Sequence, residues 1–251
     1  MISVRGNWPL VPTMDVVVPQ TRSIADMLEV IDIIIVDDPN TQGDFWRSQP
    51  WVKLPKASQL RPKSYSKLAN ASLKGKRFGV PAMYINSDAQ AGTGSNLGIG
   101  GATGQLIQTR ASFMSLWDAA RSALEHAGAE VMIVDFPVVS NYEGDRPHAS
   151  KIHSAGRVSP EYLAHEIVDL SVWAWDDFLR TNRDPSLQCL ADVKGNEIFP
   201  TPEGSLPDRY TGFDDDISHY PDYARRQKIK NFLDIPTLED GLKGLEETRK
   251  V

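Results

Sequence analysis

Apolar residues recur at helical spacing in some stretches of this chain and cluster in short runs in others. In IADMLEVIDII, Ile24, Met27, Leu28 and Ile31 share one face, and Ser23 stands where an N-cap is wanted. A helix is predicted over 23–37. Just upstream, Pro9, Pro12 and Pro19 each bar a helix interior, because proline lacks an N–H and its ring clashes with the preceding turn. Val16, Val17 and Val18 favour an extended backbone there.

The middle of the chain carries the clearest local unit. KRFGVPAM, 76–83, reads as a strand that Pro81 ends or places at an edge. A helix is predicted over about 112–127, capped by Thr109 or Ser112, with Phe113, Leu116, Trp117, Ala120 and Leu124 as its apolar stripe. Gly128 supplies the left-handed stop. Residues 130–136 follow as a strand that Pro137 closes. Strand, helix and strand in this order predict a β–α–β unit with a parallel pair, and therefore an α/β fold.

A second strong helix is predicted over 160–180. Ser159 is its plausible cap, Pro160 sits in its first turn, and Leu163, Ile167, Leu170, Trp173, Ala174 and Phe178 form the stripe. Aromatics at that spacing read as core or interface more readily than as a ligand box. A further helix is expected near 238–249, where Glu239 and Lys243 stand a helical turn apart. Residues 39–72, with four prolines and with Trp46 and Trp51, read as irregular connection, and 140–160 as a polar, turn-rich stretch.

Composition then narrows the function classes. The chain has 251 residues, of which 41% are hydrophobic and 24% charged, enough for a real core in one large domain or two small ones. Its net charge of -6 and pI of about 5.4 argue against nucleic acid or an anionic membrane as partner. The basic clusters Lys74-Lys76-Arg77 and Arg225-Arg226-Lys228-Lys230 are short and read as solvated faces. The apolar run at Ile33 to Val36 is far below the ~20 residues of a membrane span, and no secretory leader pattern follows Met1. The single cysteine, Cys189, cannot form an internal disulfide, so a reducing, cytoplasmic setting is expected.

Candidate chemistry is sparse. Cys189 has no base among its sequence neighbours and reads as an inert thiol. His148 and His153 share a loop, while His126, His165 and His219 are isolated, and no metal-ligand spacing is present. Asp214-Asp215-Asp216 lacks the alternating pattern of a calcium loop and reads as an acidic turn. Ser3, Ser23, Ser95 and Ser140 lack a nucleophile elbow. The glycine-rich loop 91–105 does not have phosphate-loop spacing and reads as a flexible surface loop, with a ligand-contacting lid as the weaker reading. No metal, cofactor or catalytic residue is assigned.

One long pattern remains. From Gly6, the order is Gly–x–x–Pro–x–x–Pro–x–x–Asp–x–x–x–Pro–x–x–Arg–Ser–x–x–Asp, ending at Asp26. With LKGKRFGVPAMYIN at 73–86, the stretch 108–143, DRYTGFDDDI at 208–217 and LEDGLKGLEETRKV at 238–251, it resembles successive segments of the amidase signature family, the large fungal and bacterial amidases. The likeness covers nearly the whole chain. It departs at Val18, where glycine is usual before the proline, and in a longer loop at 87–107.

The resemblance implies a partial amidase-signature fold: a mixed central sheet flanked by helices, in a single truncated domain over 1–251. It implies hydrolysis of amide carbon–nitrogen bonds by acyl transfer. In that chemistry a neutral lysine acts through a bridging serine on a nucleophilic serine. It also places residues 160–180 towards the substrate pocket. No GGSSGG-like run and no matching lysine motif occurs, so the serine–serine–lysine set is expected upstream of Met1 and the chain is expected to be inactive alone. A small-molecule amide is the expected substrate if missing segments complete the site. The alternative is a non-catalytic, truncated amidase-like protein of the kind a fungal small-molecule biosynthetic gene cluster can encode. Truncation predicts exposed apolar surface at Val16 to Val18, Ile33 to Val36 and the Trp46/Trp51 connection, and with it a homo-oligomer or a partner-dependent chain.

Overall fold

The Ser23 Oγ accepts the Asp26 N–H, and helix α1 runs over Ile24–Ile34 as its cap dictates. The computed structural model describes residues 2–69, 72–94, 108–137, 146–148, 157–198 and 217–250. The chain divides into two compact units, Met1–Ala69 with Ser159–Glu246 and Asn70–Val158 with Glu247–Val251.

In the first unit, the stretch read as irregular is a series of single turns: α2 (Phe45–Ser48), α3 (Ala57–Leu60) and a 3-10 turn at Ser66–Leu68. Polar side chains tie these turns down. The Asp32 carboxylate, at the end of α1, accepts from Arg61 Nη2, from the hydroxyls of Ser64 and Ser66 and from the N–H groups of Tyr65 and Ser66. Asp37 accepts both the N–H and the hydroxyl of Ser58. Helix α1 itself buries no residue, and Ile24 and Ile33 are each 73% exposed. Val16, Val18 and Val36 are exposed as expected. The two tryptophans are not: Trp46 donates its indole N–H to the Thr13 carbonyl, and Trp51 meets the Phe232 ring edge-on.

The second unit contains the β–α–β arrangement. Strands β1 (Arg77–Pro81) and β2 (Glu130–Val134) pair in parallel, with Arg77 opposite Glu130 and Pro81 opposite Val134. Helix α4 (Ala111–His126) connects them. The chain is α/β in this broad sense, and the sheet among the described residues has these two strands. Gly128, at φ +87°, ends α4 with its N–H on the Glu125 carbonyl, and the Ala129 N–H reaches the Leu124 carbonyl.

Two details of α4 correct the sequence reading. Neither Thr109 nor Ser112 caps it: the helix begins after Arg110, while the Thr109 hydroxyl donates to the Tyr84 carbonyl. The stripe is also rotated. Phe113, Leu116 and Ala120 are exposed, whereas Met114, Trp117 and Leu124 are half-buried. Both faces are apolar enough to compete, and the rotation of the helix over β2 chooses the second.

The predicted helix at 160–180 is interrupted. It runs as Pro160–Ala164 from its Ser159 cap, widens to a π turn over His165–Leu170, and continues as α-helix over Ser171–Asn182 to a left-handed Arg183. A π turn strains the carbonyl ladder. Here side chains satisfy it: Tyr220 Oη donates to the Ile167 carbonyl and Gln227 Nε2 to that of Asp169. Val172, Trp175 and Leu179 then form the core of this unit with Leu190 and Tyr220. The last helix, Leu238–Thr248, lays Gly241 so close to Tyr162 that a Cβ at this position would overlap the ring. Lys243 and Glu239 pair as their spacing predicts.

Candidate functional site

The Ser3–Val18 segment, with backbone-bonded turns at Val4–Asn7 and Val11–Met14, runs against the Ser171–Asn182 helix. Polar contacts hold it at both ends. Val4 donates its N–H to Asp44, whose carboxylate also takes Arg47 Nε at 2.8 Å. Arg47 Nη2 reaches Ser3 Oγ at 2.6 Å. Further along, Thr13 Oγ1 donates to Glu166 Oε1 at 2.5 Å, and Trp175 donates its indole N–H to the Leu10 carbonyl. Asp15 closes the turn between them by accepting the N–H groups of Leu10 and Val11.

Between this segment and the helix opens a cleft of about 630 Å³. Its floor is one helical face, Trp173, Ala174, Asp177, Phe178 and Thr181. Trp8 and Pro12 form one wall, and Phe45 and Phe232 another. The aromatic groups brace each other: Trp8 stands edge-on to Phe178 and Trp173 edge-on to Phe232, each at 5.1 Å between ring centroids. A cleft of this volume, in which aromatic faces stand beside a comparable number of polar side chains, suits a small organic molecule.

The charges of the cleft are unevenly compensated. Asp44 is held by Arg47, and Arg5 by Asp38 at 2.9 Å. Asp38 in turn is lowered to about 2, chiefly by that bond from Arg5. Asp176, beside the cleft, pairs with Arg180 and accepts the Leu190 N–H. Asp177 makes no hydrogen bond or ion pair among the described residues, and burial pushes its carboxyl above the ordinary value. Burial does the same to Asp15, against its two backbone donors. Glu166, 1% exposed, is raised by burial too, while the Thr13 and Tyr162 hydroxyls partly offset that.

The candidate residues of the sequence do not converge. Cys189 Sγ donates to Asp192 at 3.1 Å, a bond that raises the thiol pKa and suits an inert sulfur. Ser3 belongs to the Arg47 anchor and Ser23 is a helix cap. His126 bonds the Ser122 carbonyl of its own helix, and His165 Nδ1 donates to the Pro236 carbonyl. His148 sits in a left-handed backbone position and His219 in a short 3-10 turn. Ser95, Ser140, His153, Asp214-Asp215-Asp216 and most of the 91–105 loop lie outside the described residues. Of the basic clusters, Arg77 faces Glu130 and Arg225 pairs with Asp222. Among the described residues no three His, Cys, Asp or Glu side chains gather as metal ligands, and no helix is long and apolar enough to cross a membrane.

Sequence reasoning missed Asp177. The signal was present: it falls at the spacing of Trp173, Ala174 and Phe178, a carboxylate inside an apolar stripe. Glu166 falls likewise among Leu163, Ile167 and Leu170. The cleft hydroxyls carry no base. Ser48 donates to the Thr41 carbonyl, and Thr181 accepts from Gln42. The described geometry can bind and orient a small molecule; it shows no paired nucleophile and base. No protein-family model matches this sequence, and no curated protein does either.

Proposed function

We propose that this chain is a relative of the amidase signature family, the hydrolases of amide carbon–nitrogen bonds, and that it contributes a small-molecule binding cleft without acyl-transfer chemistry of its own. One observation supports the reading most. Gly6, Pro9, Pro12 and Asp15, the residues that open the family-like pattern, all line the cleft. Under the same reading, β1 and β2 belong to the mixed central sheet of an amidase-type fold, the ligand is a small amide, and the setting is the reducing cytoplasm.

The non-catalytic part of the proposal draws on the hydroxyls of the cleft. Ser48 and Thr181 are engaged by neutral partners, and neither meets a lysine or histidine among the described residues. Acyl transfer needs an activated nucleophile, and loss of nucleophile and base removes most of the rate enhancement. The 251-residue chain is therefore expected to bind aryl or aliphatic amides in calorimetry and to hydrolyse none above background. Turnover abolished by replacing one serine would overturn the non-catalytic reading. Absence of any amide binding would overturn the cleft reading.

A further inference from the structure

We propose that the cleft selects a ligand bearing a protonated amine beside an aromatic or aliphatic body, with the Asp177 carboxylate as its counter-ion. The inference rests on the reading of the cleft as a small-molecule site and names the ligand class.

The unpartnered carboxylate is the first argument. Asp177 is half-buried and lines the cleft, no hydrogen bond or close ion pair among the described residues holds it, and Arg180 acts on it only at longer range. Arg180, the cation nearest in sequence, is paired with Asp176 instead. A desolvated carboxylate without a partner is unfavourable, and a bound ammonium would remove that penalty through a charge-assisted hydrogen bond. The walls supply the second argument. Trp8, Trp173 and Phe178 line the same space, and electron-rich rings attract a cation, tryptophan most of all.

Counting the remaining charges supports a cation over an anion. Arg5 and Asp44 are spent on Asp38 and Arg47. What remains of the cleft lining is Asp15 and Asp177 against Lys230. A carboxylate or phosphate ligand would meet two like charges, whereas an ammonium meets one, and Lys230 lies on the Phe232 side of the lining.

Calorimetry on the full chain tests this with three probes of similar shape: phenethylammonium, neutral N-phenethylacetamide and phenylpropionate. The cation should bind about tenfold tighter than the amide, the combined effect of a desolvated ion pair and a cation–π contact. Asp177→Asn should erase that margin, while Asp177→Glu should keep most of it. Added salt should weaken the cation and spare the amide, a readout that needs no variant. A cation that binds no better than the amide, or tightest binding by phenylpropionate, overturns the inference and leaves the cleft reading standing. Failure of all three probes to bind overturns both.

Discussion

Thr13 and Glu166 are 153 positions apart in sequence, yet Thr13 Oγ1 lies 2.5 Å from Glu166 Oε1. Tyr162 Oη donates to the same oxygen at 2.7 Å. Two hydroxyls thus converge on one buried acid, and the cleft wall hangs from one of them. Replacing Thr13 by Val removes a donor while keeping the shape. It should cost about 1 kcal/mol at neutral pH, measured by urea unfolding.

The same acid sets a pH dependence. Burial raises the folded-state pKa of Glu166, so the folded chain holds this proton at pH values where the unfolded chain has released it. Its contribution is full below the ordinary glutamate value and is lost as pH rises through the raised one. Glu166→Gln cannot ionise. Thermal melts should show the wild-type decline in stability just above the ordinary carboxylate range, and a flatter profile in the variant. An identical profile would assign that decline elsewhere.

Asp32 has the opposite sign. The N–H groups of Tyr65 and Ser66 hold its carboxyl far below the usual range. The stability it contributes is present above the unfolded value, about 3.9, and is lost as pH falls below it. Asp32→Asn should lower the melting temperature at neutral pH, and by progressively less as the pH falls through the acid range towards the depressed folded-state value. Limited proteolysis should cut first at 61–68, the segment that Asp32 fastens.

Gly241 makes a prediction whose sign general propensity gets wrong. An alanine inside a helix is usually about 1 kcal/mol better than glycine. Here the added methyl would overlap the ring of Tyr162, so Gly241→Ala should destabilise by roughly 1–3 kcal/mol, as overpacking does. In a Tyr162→Ala background that penalty should disappear. Equilibrium unfolding of the four-member cycle measures it.

Apolar exposure predicts self-association. Phe113 is 55% exposed, Leu116 69% and Ile133 51%, all in the second unit. Sedimentation should show concentration-dependent association that Leu116→Lys weakens without changing the melting temperature. A monomer at every concentration would refute this.

What the sequence disclosed was local. Ser23, Ser159 and Gly128 act through bonds to residues three or four positions away, and each was readable. The β–α–β order was readable because its strands and its helix differ in period. The buried face of α4 was readable only in part: Trp117 and Leu124 of the expected stripe are half-buried, whereas Phe113, Leu116 and Ala120 are exposed and Met114 lies on the half-buried side, because packing on the sheet sets the rotation. The polar hubs at Asp32 and Arg47 were hidden for another reason: Arg61 lies 29 residues from Asp32, and Ser3 lies 44 from Arg47. Asp177 was legible only as an anomaly, an acid where periodicity asks for a hydrophobe.

The π turn at His165–Leu170 acts as a phase setter for the whole helix. Each residue of an α-helix turns the next by about 100°, and a π turn takes up one residue more than an α turn. Trp173 and Asp177, after it, therefore stand one residue out of step with Tyr162, before it, compared with a regular helix. Deleting a single residue between Ile167 and Leu170 would remove the surplus, restore a regular helix and leave the residues downstream aimed as before. Asp177 would stay at the cleft and Trp175 in the core, so this turn can lose one residue where a regular helix, rotated by about 100° at each deletion, cannot.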